Sequence, residues 1–516
     1  MANKQQFIDA IQKSYSSNEP HIYLGSGILD GTVIAEAKIN LPLRMMNRHG
    51  LISGATGSGK TRTLQVIAEQ LSEAGVPVFL SDIKGDLNGI GKAGTSNPKL
   101  EERAKILGID FKPTEFPVEL YSLSGKLGAQ MRATVSEFGP ILLSKVFELN
   151  DTQQGVLNII FKYCDDHGLP LVDLNDLKKV LNYLTDGQGA NEIKESYGKI
   201  SSSTSGTILR KIVALEQQGV AQIFGEKSFD IDDLFEKVDG KGVISLLNIS
   251  DMQTNPVVFS TFMVSLLAEL YHTMPEAGDL DKPKLVFFLD EAHLLFKDAP
   301  RAFMDQIEQV IRLIRSKGIG VFFCTQQPTD VPDSVLAQLG NRFQHVLRAF
   351  TPNDADNLAK VVKTYPKSDY YDINKTLTSL GIGQALITVL NEKGIPTEVA
   401  ATHLTPPRAL MSPMPQADYQ RNLEHSEIYK KYKVAVDPES AFEMLEKRLK
   451  PKEEEPKETD TTEKEEKPRG KTEKSMLEKV INAPIIRSIG SQLIRSTFSM
   501  LFGGRATSTR KRNGFF

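Results

Sequence analysis

The sequence predicts an α/β protein with a mostly parallel sheet, an all-helical insertion and a flexible C-terminal extension. Three observations predict it. The run Gly54-Ala55-Thr56-Gly57-Ser58-Gly59-Lys60-Thr61 lies between the apolar stretch Gly50–Ser53 and a helical pattern at Leu64, Ile67, Ala68 and Leu71. That is the strand–loop–helix context of a phosphate-binding loop. Leu285–Leu289 is a continuous apolar run ending in Asp290 and Glu291, and it reads as a central strand buried on both faces. Between the two, from about 121 to 239, apolar residues recur at helical spacing.

Taken in order, residues 1–45 read as a short β segment, with Ile22-Tyr-Leu-Gly and Thr32-Val-Ile-Ala as strands. Residues 46–120 form the first part of the core, including a strand at Val76–Asp82. The insertion, 121–239, carries helical patterns at Ile141–Phe147, Gln153–Phe161 and Leu174–Leu184. Ser201–Gly206 reads as a loop plus an N-cap ahead of Ile208. Val243–Asn248 returns to the sheet and opens the second core part, 240–405, with a further strand at Gly318–Thr325. A helical extension covers 406–450. From 451 to 475 the chain has no hydrophobic residue and reads as a disordered charged linker. In 476–516, Ile485, Ile486, Ile489, Leu493, Ile494 and Met500 share one side of a helix. Arg487, Arg495, Arg505, Arg510, Lys511 and Arg512 add positive charge. Three partners suit that segment: the chain's own ring or another protein, an anionic membrane surface, or DNA as a nonspecific foothold.

The chemistry follows from the loop. Its glycines let backbone N–H groups close on a polyphosphate, and the helix that follows presents its positive end to the same anion. Lys60 is placed for the β- and γ-phosphates of ATP, and the Thr61 hydroxyl for Mg²⁺. Asp290 is a second Mg²⁺ ligand. Glu291 is placed to orient and deprotonate an attacking water, which points to hydrolysis rather than transfer to an acceptor. His293 reads as a packing or hydrogen-bonding residue. Gln326, in the polar end Thr325-Gln326-Gln327 of its strand, is a candidate sensor of the γ-phosphate. Asp82 either helps to place Mg²⁺ or begins a turn.

This ordered set resembles the HerA/FtsK group of P-loop ATPases, which contains DNA-pumping motors. The set includes Ser81-Asp-Ile-Lys-Gly-Asp86, Phe288-Leu-Asp-Glu-Ala-His293, Ile314-Arg-Ser-Lys-Gly-Ile319, Thr325-Gln-Gln-Pro328, Gly340-Asn-Arg-Phe343 and Gly381-Ile-Gly-Gln-Ala385. Ala214–Gly219, Phe224-Gly-Glu226 and Gln338–Pro352 bring it closest to the bacterial HerA-like helicase C-terminal-domain family. The resemblance implies a RecA-like core, a ring that is commonly a hexamer, and ATP sites between subunits. In such rings an arginine of one subunit completes its neighbour's site; Arg315 and Arg342 match the family's motif arginines. The larger N-terminal barrel of HerA proteins is reduced here to at most a hairpin.

Composition sets limits on the partner. The chain has 516 residues and a net charge of -3, so a DNA channel requires a local basic lining rather than a basic surface overall. Cys164 and Cys324 lack metal-ligand spacing. The N-terminus lacks a signal-peptide pattern and no apolar run is long enough to span a bilayer, so a cytoplasmic location is expected. A DNA helicase or translocase is the leading expectation. An ATP-driven assembly switch acting on protein partners is the alternative. A conjugation-type coupling ATPase is less favoured, since no membrane anchor precedes the core.

Overall fold

Successive side chains of a strand point to opposite faces, and the Leu285–Leu289 strand uses both. Leu285, Phe287 and Leu289 enter one hydrophobic core, and Val286 and Phe288 enter the other. Every residue of this strand is buried, which is why its sequence shows no polar alternation. In the computed structural model, which describes residues 3–449 apart from 253–254, 298 and 300, this strand sits near the middle of a twelve-stranded sheet. The charged linker 451–475 and the basic segment 476–516 lie outside the described residues.

The parallel part runs, by neighbour, through strands Asn341–Gln344, Gly50–Ser53, Ile319–Thr325, Leu285–Leu289, Val78–Asp82, Ile244–Asn248, Val118–Ser122 and Ala129–Gln130. All of these pairs are parallel. An antiparallel arm of four strands continues from Asn341–Gln344 through Gln384–Thr388, Ala400–Leu404, His21–Leu29 and Thr32–Pro42. The N-terminal strands are therefore a full edge of the main sheet. They are preceded by a helix, Lys4–Tyr15, where the sequence suggested only β structure. Its Phe7, Ile8, Ile11 and Tyr15 are buried, and their spacing is helical.

One face of the sheet carries the Lys60–Glu73 helix, whose Leu64, Ile67, Ala68 and Leu71 enter the second core. Phe288, Phe322 and Phe343 run across three strands beneath it, with ring centroids 5.1 and 6.5 Å apart. The other face carries the insertion: helices Val135–Val146, Asp151–His167, Leu174–Thr185, Ala190–Ser196 and Ser202–Gln217. They pack with Pro256–Thr273 and Arg301–Ile314 into one continuous core. Ser201 is the N-cap of its helix, accepting from the Thr204 N–H, but residues 202–206 are helical rather than loop. Helices Gln416–His425, Glu427–Tyr432 and Ala441–Leu449 occupy the extension. Among the described residues, no helix is long and apolar enough to cross a membrane.

One buried histidine ties the sheet to this helical layer. His49 donates from Nε2 to the Ile311 carbonyl at 2.8 Å and accepts at Nδ1 from the Val321 N–H at 3.0 Å. Both ring nitrogens are used by the neutral form, and burial pushes the ring down to about 4. The unfolded chain takes up this proton near pH 6.5 and the folded chain does not, so stability falls as pH drops from about 6.5 toward 4. Thermal melts across that window should show a falling Tm, and His49→Gln should flatten the slope.

Candidate active site

The carboxyl ends of the parallel strands open onto one crevice, where ligands bind in open α/β sheets. Ser53 ends its strand there and the loop follows. The Gly54 N–H points at the Thr325 and Gln326 carbonyls at 3.3 and 3.2 Å, and the Ala55 N–H donates to the Val346 carbonyl at 2.9 Å. On the far side the Gly383 N–H donates to the Ser58 carbonyl at 3.1 Å. Gly57 has φ +76, a conformation that favours glycine. At Gly54 a Cβ would stand 2.5 Å from the Cβ of His345, so only glycine lets the loop lie on that residue.

His345 is a support that sequence reasoning missed. Its Nε2 shares a 3.0 Å hydrogen bond with Thr63 Oγ1, and Thr63 also donates to the Gly59 carbonyl. Burial pushes its ring down to about 4, with the Lys60 charge adding to the effect, so it stands neutral beneath the loop. Arg103, also missed, reaches in from the Pro98–Leu107 helix. It donates to the carbonyls of Gly383, Leu404 and Ile382 at 3.0, 2.9 and 3.1 Å. It thus fixes the Gly381–Gly383 turn that backs Ser58. His345 lies far from the loop in the chain and is brought to it by the pairing of Gln344 with Ser53, whereas Arg103 comes from a helix and meets the turn behind the loop.

Lys60 folds over the loop, donating to the Gly54 and Ala55 carbonyls at 2.6 and 3.2 Å. Burial lowers its pKa, against the pull of Glu291 and Asp290. The Ser58 hydroxyl is buried with no hydrogen-bond partner. A loop with a lysine, an unpartnered hydroxyl and a helix N-terminus is a fit for a phosphate anion.

Asp290 and Glu291 leave the next strand but one. The Asp290 N–H donates to Ser81 Oγ at 2.9 Å and the Ala292 N–H to the Cys324 carbonyl at 2.8 Å. The residue between them, Glu291, is held at φ +47, an uncommon conformation for a side chain of its size. Its Oε1 is 3.4 Å from Lys84 Nζ and its Oε2 is 3.5 Å from His293 Nδ1. Burial, then the Glu291 charge, pushes the Asp290 carboxyl up to about 7. A carboxylate short of positive charge beside a threonine-bearing loop is a hard-oxygen donor set of the kind Mg²⁺ takes. Among the described residues, no group of three or more His, Cys, Asp or Glu could hold a metal, so a cation here would depend on Thr61, Asp290 and the bound phosphates together.

Asp82 does the work of a turn. Its Oδ1 accepts from the Gly85 and Asp86 N–H groups at 2.8 and 3.2 Å, and its Oδ2 from the Leu87 N–H at 3.0 Å. Gln326 is exposed, and its carbonyl rather than its amide meets the loop. Its neighbour Gln327 is anchored instead, donating from N–H to Asp330 and accepting from the Asn357 amide at 2.9 Å. The two arginines are not at this crevice. Arg315 is exposed in a turn that enters its strand from the opposite end. It lines a cavity of about 670 Å³ with Arg44, Arg48, Arg312, Glu276 and Asp279. Arg342 lies alongside Leu51, its guanidinium 3.4 Å from the Leu336 and Leu339 carbonyls.

The chain is similar to several characterised proteins at low sequence identity. The chain is 23% identical over 375 residues to the DNA double-strand break repair helicase HerA of Sulfurisphaera tokodaii, covering 68% of this chain and 64% of that one. It is 24% identical over 392 residues to the DNA import protein CedB of Sulfolobus acidocaldarius, covering 74% and 56%. The chain thus spans just under two thirds of the HerA relative. Among solved structures, the bacterial conjugative coupling protein TrwBdeltaN70 superposes with a TM-score of 0.50 at 14% identity, covering 78% of this chain and 98% of that one. This likeness establishes a shared RecA-like P-loop fold. The family described as helicase HerA-like C-terminal matches residues 29–510. With the match running over nearly all of its length, the chain belongs to the HerA-like helicase C-terminal family.

Proposed function

We propose that this protein is a Mg²⁺-dependent ATP hydrolase that assembles as a ring, most simply a hexamer, and moves along or unwinds duplex DNA. The observation that carries the reading is the convergence of the Gly54–Thr61 loop and the Asp290–Glu291 pair on one crevice. Lys60 is the charge for the β- and γ-phosphates. Thr61 and Asp290 would hold Mg²⁺, which when bound neutralises developing phosphate charge. Glu291 takes the proton of the attacking water. Gln326, exposed at the rim, is free to respond to the γ-phosphate. DNA as the substrate rests on the names of the HerA and CedB relatives.

The ring supplies what one subunit lacks. Arg315 lies at the end of its strand opposite its own loop and is exposed among other arginines, which suits a group that acts on a neighbour. Arg342 is occupied by carbonyl oxygens, so Arg315 is the better of the two. Lys60→Ala and Arg315→Ala should each lose most of their turnover. An equal mixture should regain activity, because roughly a quarter of interfaces then join an intact loop to an intact arginine. No recovery on mixing would place Arg315 outside the neighbour's site.

The deciding experiment is steady-state ATP hydrolysis with and without linear duplex DNA over a salt titration. Stimulation that fades with salt is the sign of phosphate contacts and supports a DNA motor. Hydrolysis indifferent to DNA favours an ATP-driven switch acting on protein partners.

A further inference from the structure

The crevice holds a second lysine that the reaction scheme above leaves unused. Lys84 stands on the loop between Asp82 and Leu87, which the Asp82 carboxylate pins through three backbone N–H groups. The lysine is therefore presented from a rigid turn. Its side chain is 54% exposed, while the Glu291 side chain it faces is 15% exposed. The ion pair, at 3.4 Å, joins Glu291 Oε1 to the Lys84 ammonium. Burial works against the charge on Lys84, but Glu291 and Asp290 outweigh it and hold its pKa above the ordinary lysine range. Among the described residues the other carboxylate oxygen, Oε2, is buried without a hydrogen-bond partner and lies 3.5 Å from His293 Nδ1. Glu291 thus has one firm tether, and that tether is half in solvent.

Resting on the assignment of Glu291 as the base, we propose that Lys84 is a positioning residue that restrains Glu291 until a phosphate anion in the crevice draws the ammonium away. A cation 3.4 Å from one carboxylate oxygen fixes the direction of that carboxylate. A phosphate oxygen competes for the same ammonium and carries more charge. Once Lys84 has turned to that anion, Glu291 is free to face the water. The γ-phosphate is present in every basal turnover, so the anion that lifts the restraint is a backbone phosphate of DNA on the crevice rim.

Two measurements on the full-length protein test this. The first is independent of turnover. Lys84 is labelled with an amine-reactive ester in the nucleotide-free protein and followed by mass spectrometry. Labelling should be several-fold faster in Glu291→Gln than in the parent; equal rates remove the restraint. The second compares Lys84→Met and Lys84→Arg in ATP hydrolysis. Lys84→Met should raise basal kcat about fivefold, the scale of a half-exposed ion pair, with KM for ATP little changed, and Lys84→Arg should keep parental behaviour. A basal kcat that falls or stays level in Lys84→Met overturns the proposal. If DNA stimulates the parent but not Lys84→Met, the releasing anion is the DNA backbone. If stimulation survives in full while basal kcat is raised, DNA does not act through Lys84 and the DNA phosphate is overturned as the releasing anion. A parent with no hydrolysis at all would refute the ATPase reading, while the labelling comparison would still decide whether the tether exists.

Discussion

Glu291→Gln should bind ATP about as tightly as the parent and hydrolyse it roughly a thousandfold more slowly, within the range that general bases contribute. The substitution keeps the size of the side chain and removes its charge, and with it both the capacity to take a proton and the ion pair with Lys84. The backbone is independently held by the Asp290 N–H on Ser81 and the Ala292 N–H on Cys324, so the turn at φ +47 should survive. Fluorescent-nucleotide titration and single-turnover hydrolysis, run side by side, separate binding from chemistry. Turnover within tenfold of the parent would remove Glu291 from the role of base.

Lys60→Ala should act one step earlier. Losing a partly buried ammonium from a polyphosphate site forfeits charge-assisted hydrogen bonds, and nucleotide affinity should fall about a hundredfold or more, on the scale of losing one partner of a buried charge pair. The fold should not suffer, because among the described residues the hydrogen bonds of the Lys60 ammonium go to the Gly54 and Ala55 carbonyls of its own loop. An unchanged melting profile with lost binding is the expected pair of results. Unchanged binding would refute the loop assignment.

The parts of this site legible in the sequence were those in which chemistry is written locally. A phosphate loop needs its glycines, lysine and hydroxyl in one run, and a doubly buried strand needs consecutive apolar residues, so both Gly54–Thr61 and Leu285–Glu291 could be read directly. His345 and Arg103 could not. His345 touches the loop because strands nearly three hundred residues apart pair in register, as Gln344 with Ser53, and Arg103 reaches from a helix to the turn that backs the loop rather than to the loop itself. The motif Gln338–Pro352 contained His345 but gave no reason to place it under Gly54. Asp82 shows the opposite difficulty. Acid after a strand suits a metal site and a turn equally, and only the three amides converging on its carboxylate identify the turn. The N-terminal helix was hidden in a stretch where Phe7, Ile8 and Ile11 are spread among polar residues.

The antiparallel arm has a consequence for how the chain is made. His21–Leu29 takes its partner from Ala400–Leu404, and Gly25 faces Leu404 in register. The two segments leave the ribosome roughly 380 residues apart, which at about 5–20 residues per second means some tens of seconds of synthesis. Throughout that interval the N-terminal hairpin carries an unpaired edge, the kind of template on which other chains pair. The hairpin thus emerges long before the strand that covers it, and the nascent protein must be kept from pairing with its neighbours until Ala400–Leu404 arrives.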